Sequence, residues 1–134
     1  MRDLRVGIKG IKENTVKESD LAVNISSGSM PVLATPVLIC TAEQACKELV
    51  QPYLEHGTGT VGTLVNIRHL APTPKGMKYR CECELTAVEG RRLTFSVKLT
   101  DEVETIGEGT HERFIIDEKR FEEKAERKTN AARV

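Results

Sequence analysis

The sequence has no tryptophan and few other aromatic residues, with two tyrosines and three phenylalanines among 134 residues. A surface that binds single-stranded nucleic acid by stacking needs aromatic rings, so this role is not expected. Net charge of one sign is also missing, because 20 Lys and Arg residues balance 20 Asp and Glu residues. This balance argues against binding to nucleic acid or to a membrane surface through bulk charge.

Long hydrophobic runs are absent too. No apolar segment approaches the length of about 20 residues that a membrane-spanning helix needs. The first ten residues, MRDLRVGIKG, contain no hydrophobic stretch after their basic residues, so no secretory signal is expected and the cytoplasm is predicted. At this length, residues 1–134 are expected to form a single domain.

Cysteine is present at four positions, but no Cys-x-x-Cys pair occurs. A zinc site is therefore not favoured, and no metal is expected. In the predicted compartment the thiols stay reduced, and we expect them to be buried as small apolar residues. The four are Cys40, Cys46, Cys81 and Cys83.

The most apolar segment, ATPVLICTAEQACKEL at positions 34–49, predicts a helix that ends near Val50. Thr35 before Pro36 is typical of a helix start, since a Thr side chain can serve as N-cap and Pro fits the first helical position. On a wheel of about 100° per residue, Thr41 is predicted to face solvent and Glu43 to lie at the border of the apolar face.

A period of two follows, which predicts antiparallel strands at about 61–70, 79–87, 92–99 and 103–116. Glu89-Gly90 indicates a tight hairpin turn, and the glycines of the last strand indicate a bulge or a close approach. The earlier part of the chain predicts an edge strand at 4–16 and a loop at 17–31. At the C-terminus, Asp117 is predicted to cap a short helix at 118–128, with residues 129–134 frayed.

One face of the first predicted strand after the helix carries Val61, Thr63, Val65, Ile67 and His69, and the face of the next carries Tyr79, Cys81, Cys83, Leu85 and Ala87. One long helix followed by a meander must bury its apolar side on the sheet. An antiparallel sheet wrapped around one central helix is the α+β architecture called the hot-dog fold.

Three polar residues are candidates for chemistry. Glu43, at the helix border, can be a snorkelling surface charge, and His69, at the end of an apolar face, can be a hydrogen-bonded structural residue. If the two meet, they form a carboxylate–imidazole pair suited to acid–base work. Thr35 can cap the helix, position a substrate or act as a nucleophile beside the positive end of the helix dipole.

Other candidates carry weaker signals. Lys75 lies in the basic loop PTPKGMK, where it can meet phosphates or remain solvated. His111 and Arg113 share a strand face, which permits a contact with a ligand phosphate. The run GTGTVGT lacks the Gly-Lys-Ser/Thr ending of a P-loop, so nucleoside triphosphate binding is not supported.

Four segments resemble the hot-dog thioesterases related to fluoroacetyl-CoA thioesterase. They are VLATP…E…AC, TVGTLVNIRHLAPTPKG, GRRLTF and GEGTHERFIID, matching in order and spacing from about residue 31 to 121. The resemblance implies that Thr35, Glu43 and His69 form the catalytic group. It also implies a homodimer with the active site at the subunit interface, and it places Gly62 and Arg113 beside the substrate.

These matches predict hydrolysis of an acyl-CoA thioester without a cofactor, CoA being part of the substrate. The fluoroacetyl-specific enzyme of the family carries a phenylalanine lid in the segment before the catalytic Thr, whereas residues 17–34 here contain no aromatic residue. We therefore expect another, short acyl group. Thr35, Glu43 and water remain alternative nucleophiles. A non-catalytic acyl-CoA-binding protein and a hydratase or dehydratase on the same fold are the alternative functions.

Overall fold

A five-stranded antiparallel sheet packs against one long helix in the computed structural model, which describes residues 3–133. The helix, α1, is Thr35–Val50, close to its predicted bounds. The strands are β1 (Lys9–Thr15), β2 (Thr58–His69), β3 (Lys78–Glu89), β4 (Arg92–Asp101) and β5 (Thr105–Asp117), in the sheet order β1-β3-β4-β5-β2. The predicted architecture is therefore confirmed.

The segments around α1 differ from prediction in detail. The first strand is shorter than the predicted 4–16, and the predicted loop at 17–31 contains two short 3-10 turns, Glu18–Asp20 and Ala22–Asn24. A third 3-10 turn, Gln51–Tyr53, follows α1. The predicted hairpin turn between β3 and β4 is present, with Gly90 at φ 63°, a conformation that glycine adopts without strain.

The core lies between the buried side of α1 and the inner face of the sheet. It combines helix residues such as Leu38, Ala42 and Ala45 with strand residues that alternate along β3 and β4 as predicted. From the strands it takes Tyr79, Cys81, Cys83, Leu85, Leu93, Phe95, Val97, Leu99 and Ile106.

The prediction that Thr41 faces solvent is wrong. Its side chain is buried, and its hydroxyl lies 2.7 Å from Tyr79 Oη and accepts a hydrogen bond from Asn14 Nδ2 at 2.9 Å. The helical wheel contains no information about neighbours, and β1 packs along this side of α1 and supplies Asn14. The buried hydroxyl is thus satisfied by two strands.

A β-bulge in β2 changes which face its residues occupy. The register against β5 shifts between Gly62 and Leu64, so the inward face carries Gly62 before the bulge and His69 after it. Val61 pairs with the exposed Phe114, and the Thr63 hydroxyl lies 3.4 Å from a carboxylate oxygen of Glu112. The predicted inward placement of Val61 and Thr63 is therefore wrong.

A second bulge lies in β3, between Leu85 and Ala87. It pairs Ala87 with Thr94, whose neighbours Leu93 and Phe95 are the buried residues of β4. Ala87 is consequently on the outer face, against the prediction from strict alternation.

The glycine-rich β5 is closely approached, as predicted. A Cβ at Gly109 would lie 2.0 Å from the backbone oxygen of Asn66 on the neighbouring β2. Only glycine lets the two backbones come this near.

The C-terminal helix, α2, is Glu118–Ala132, and the Asp117 side chain caps it by accepting from the backbone N–H of Arg120 at 3.0 Å. The predicted cap is confirmed. The prediction of a frayed segment is wrong for 129–132, which continue the helix, and Val134 lies outside the described residues.

All four cysteines are free thiols. Three are buried as expected, whereas Cys40 is exposed on α1. Within residues 3–133 no group of three or more His, Cys, Asp or Glu side chains is arranged to hold a metal ion. No helix in the described part of the chain is long and apolar enough to cross a membrane.

Candidate active site

The first site element is a contact between the start of α1 and the end of β2. Thr35 Oγ1 lies 2.7 Å from Nδ1 of His69. The helix N-cap is Ala34, so the predicted N-cap role of Thr35 is wrong: Thr35 is the first helical residue, with Pro36 after it. Its hydroxyl is therefore directed to the imidazole and not to the helix backbone.

Tertiary contacts explain this shift of the helix start. The backbone N–H of Leu33 donates to the Thr73 carbonyl at 2.9 Å, and that of Ala34 donates to the Asp20 carbonyl at 2.9 Å. These bonds hold the chain extended through Ala34, at φ −71° and ψ 142°. The turn into the helix consequently comes at Thr35.

His69 is half-buried and suited to act as a base. Burial lowers the pKa of His69 from its ordinary value, while the nearby backbone of Ala71 acts in the opposite direction. The Nε2 atom is buried and forms no hydrogen bond with a described residue. The Thr35 hydroxyl can donate to Nδ1 when the imidazole is neutral and carries its proton on Nε2. This is the geometry of a hydroxyl nucleophile beside its base.

Glu43 lies two turns further along α1 and contacts a different partner. Its side chain is 40% exposed, and Oε2 lies 3.7 Å from Nη1 of Arg113. The eight-residue separation places Glu43 about 12 Å along the helix axis from Thr35. Within one chain, the hypothesis that Glu43 meets His69 is therefore wrong, and its partner is Arg113.

Arg113 is almost completely buried, with 6% of its surface exposed. Its Nε donates to Thr60 Oγ1 at 2.7 Å, its Nη2 donates to the Thr60 carbonyl at 2.9 Å, and its Nη1 lies 3.2 Å from Nε2 of His111. Burial lowers the pKa of Arg113, and the Glu43 carboxylate raises it. The guanidinium is thus held on three sides and faces Glu43 on the fourth.

His111 is fully buried and supports Arg113 from β5. Its Nδ1 lies 2.8 Å from the Leu64 carbonyl, and its ring stacks on Phe95 with centroids 6.3 Å apart. Burial lowers the pKa of His111, and the Leu64 carbonyl opposes this shift. The sequence suggested His111 as a phosphate contact, which its burial rules out. The sequence feature that indicated its contact with Arg113 was that both residues lie on the same face of the strand.

Gly62 stands where these side chains converge. A Cβ at this position would lie 2.9 Å from Oε2 of Glu43, 3.3 Å from Cε1 of His111 and 3.5 Å from Nη1 of Arg113. The missing side chain therefore makes room for the Glu43 carboxylate. The five residues Gly62, Glu43, His111, Arg113 and Thr60 are called the Glu43 cluster below.

Lys75 lies in the exposed loop between β2 and β3. Its Nζ is 3.3 Å from a carboxylate oxygen of Glu18, and both side chains are mostly exposed. Among the described residues its ion pair is with Glu18 and not with a member of the site. The structure thus brings together Thr35 with His69, and Glu43 with Gly62 and Arg113, and leaves Lys75 apart.

Comparison with known proteins places this geometry in a family. The model of the family described as fluoroacetyl-CoA-specific thioesterase (FlK) matches residues 16–119. The fluoroacetyl-CoA thioesterase of Streptantibioticus cattleyicolor is 43% identical over 100 residues, which are 75% of this chain and 72% of that protein.

Solved structures agree. A crystal structure of a mutant of FlK superposes with a TM-score of 0.91 at 34% identity, covering 96% of this chain and 99% of that one. Another FlK mutant, in complex with acetyl-CoA, gives a TM-score of 0.90 at 35% identity, with coverages of 94% and 99%. The chain belongs to the fluoroacetyl-CoA-specific thioesterase family and is a thioester hydrolase with the hot-dog fold.

Proposed function

We propose that the protein hydrolyses a short-chain acyl-CoA to the free acid and CoA in the cytoplasm, without any cofactor. The observation that carries this proposal is the 2.7 Å contact between Thr35 Oγ1 and His69 Nδ1 at the N-terminus of α1. The relative that was solved with acetyl-CoA supports a short acyl group. The absence of aromatic residues from 17–34, the segment that leads into Thr35, argues against a phenylalanine lid and its selectivity for fluoroacetyl-CoA.

In this proposal His69 is the base. The neutral imidazole accepts the proton of the Thr35 hydroxyl, or of a water molecule that the hydroxyl holds, as the oxygen attacks the thioester carbonyl. The resulting imidazolium then protonates the departing CoA sulfur. Where Thr35 is the nucleophile, the acyl group remains as an ester on its oxygen. His69 then takes a proton from a water molecule that attacks this ester, and it returns the proton to the Thr35 oxygen as the free acid leaves. Partial positive charge at the N-terminus of α1 stabilises the oxyanion that forms at the carbonyl.

We further propose that the active unit is a homodimer with its active sites at the subunit interface. In the described chain β2 is an edge strand that pairs with β5 alone, and its consecutive residues Leu64 and Val65 are 46% and 44% exposed. A free edge that is apolar on both faces favours pairing with another strand. A second chain brings a Glu43 within reach of a Thr35–His69 pair that is about 12 Å away within one chain. There the Glu43 carboxylate activates the attacking water or His69, or itself attacks the thioester carbonyl.

The remaining predicted residues act around this centre. Gly62 leaves space for the Glu43 carboxylate, and Lys75, with its exposed ammonium group, contacts the phosphates of CoA. Arg113 serves the substrate through Glu43, because its own surface is nearly all buried.

The test measures the release of CoA from acetyl-, propionyl-, fluoroacetyl-, hexanoyl- and palmitoyl-CoA. Free CoA is measured by chromatography, because a thiol reagent would also react with the exposed Cys40. We expect the acyl groups of two or three carbons to be hydrolysed fastest. Thr35→Ala, Glu43→Ala and His69→Ala should each lower kcat by at least about 100-fold. Gln44→Ala, an exposed neighbour on α1, is the matched control and should retain wild-type activity.

Three results would refute parts of the proposal. If no acyl-CoA is hydrolysed faster than in buffer, the proposed activity is wrong. If the three alanine variants keep full activity, the proposed site is wrong. If the active enzyme sediments as a monomer, the proposed site at the subunit interface is wrong.

A further inference from the structure

We propose that His111 is a positioning residue for the Glu43 carboxylate, acting through Arg113 from a buried place where it touches no substrate. The proposal rests on the proposed role of Glu43 in hydrolysis. It assigns a function to a buried histidine that takes no part in the steps described above.

The two neighbours of His111 determine its protonation state. Its Nδ1 faces the Leu64 carbonyl at 2.8 Å, an acceptor, and its Nε2 faces Nη1 of Arg113 at 3.2 Å, a donor. Only one neutral tautomer satisfies both contacts, with the proton on Nδ1 and the lone pair on Nε2. A fully buried ring between these two groups is therefore fixed in orientation and chemical form.

The His111 ring orients the guanidinium of Arg113. Thr60 takes two N–H groups of the guanidinium, one with its hydroxyl and one with its carbonyl. Nε2 of His111 accepts from Nη1, and the other hydrogen of Nη1 is left to face Oε2 of Glu43 at 3.7 Å. Without His111, Nη1 loses the acceptor that sets the plane of the guanidinium on this side.

The oriented guanidinium restricts the Glu43 carboxylate. The Glu43 side chain is 40% exposed, and the guanidinium and the bare backbone of Gly62 lie where they restrict its rotamers. A carboxylate held loosely samples non-productive positions, and misplacement by about 1 Å can lower a rate 100-fold. His111 thus contributes to catalysis by limiting where Glu43 can be.

A double-mutant cycle separates this role from a general effect on folding. His111→Phe keeps a ring of similar size against Phe95 but has neither the donor nor the acceptor. We expect it to lower kcat about 10-fold or more with KM changed less than about threefold in the wild-type background. In a Glu43→Gln background, measured with excess enzyme, the same substitution should change the remaining rate less than twofold, because the group that it positions has lost its charge.

Thr60→Val removes the other side-chain acceptor of Arg113 while keeping a β-branched residue in the strand, and it should show the same non-additivity. It also keeps the test decisive if His111→Phe does not fold. His111→Gln, whose amide can still accept from Nη1, should recover part of the rate.

The control is Cys81→Ala, which perturbs the same core from β3, two strands away from His111 and Arg113 on β5. Its effect should be equal in both backgrounds. Equal losses from His111→Phe and Thr60→Val in the two backgrounds would overturn the positioning role. If Glu43→Gln alone has wild-type activity, the proposed role of Glu43 fails first, which distinguishes that failure from failure of the positioning role.

Discussion

Adding one methyl group at Gly62 should impair catalysis while leaving the fold intact. The new Cβ would lie 2.9 Å from Oε2 of Glu43, and ordinary contact starts near 3.4 Å, so the carboxylate must move by about 0.5 Å. His111 and Arg113, at 3.3 and 3.5 Å, allow little movement in their direction. The flexible carboxylate therefore yields first.

The magnitude follows from this displacement. If misplacement by about 1 Å lowers a rate 100-fold, half of that distance corresponds to about 10-fold in kcat. Stability should change in the other direction or hardly at all, since Ala in a strand is favoured over Gly by roughly 0.5–1 kcal/mol when the backbone permits it. Loss of activity without loss of stability is the expected signature of Gly62→Ala.

Release of CoA by chromatography and thermal melting of the same samples provide the two measurements. Gly59→Ala is the matched control, three residues earlier in the same strand, where the added Cβ meets only the flexible end of Glu118 at 3.3 Å. This control should keep wild-type kcat. Wild-type kcat in Gly62→Ala would refute the idea that a close-fitting Glu43 carboxylate is needed.

Three further outcomes are expected. Gly109→Ala, whose Cβ would lie 2.0 Å from the Asn66 carbonyl oxygen, should lower the free energy of unfolding by about 3 kcal/mol or more in chemical denaturation, and a change below 1 kcal/mol would contradict this. Iodoacetamide should label one thiol per native chain, Cys40, and four after denaturation, because the other three cysteines are buried; rapid labelling of all four in the native state would be inconsistent with this core. Burial lowers the pKa of His69 and His111, so the unfolded chain binds more protons and the melting temperature should fall as pH drops from 7.5 to 5.5, beginning near the ordinary value of about 6.5; a rise would oppose the sign of both shifts.

The sequence alone predicted the elements and their buried faces wherever a regular hydrophobic period continued without interruption. The bounds of α1 followed from the apolar segment and from Pro36 at its start. The buried faces of β3 and β4 followed from spacing, because a strand that covers a core must repeat its apolar residues at a fixed interval. The bulges at Thr63 and Thr86 could not be found in this way. Each is a single extra residue in an otherwise suitable strand, and pairing with the neighbouring strand determines its place.

The candidate site was predictable residue by residue but not as a set of contacts. Thr35 and His69 were each identified, yet their hydrogen bond depends on bonds from Leu33 and Ala34 that fix where the helix begins. Glu43 was placed correctly at the border of the helix. Its partner Arg113 comes from β5, seventy residues later, and no local pattern indicates which strand will lie opposite a helix residue.

The bulge in β2 also has a consequence for how this strand can change over time. Residues before it face the Glu43 cluster through Gly62, and residues after it face the start of α1 through His69. The extra residue shifts the alternation between inward and outward side chains at one place in the strand. A mutation in one half of the strand therefore need not affect the other half. Substitutions in the first half can alter the surroundings of Glu43 while the Thr35–His69 pair is kept, and a deletion at Thr63 would remove that independence by turning one half outward.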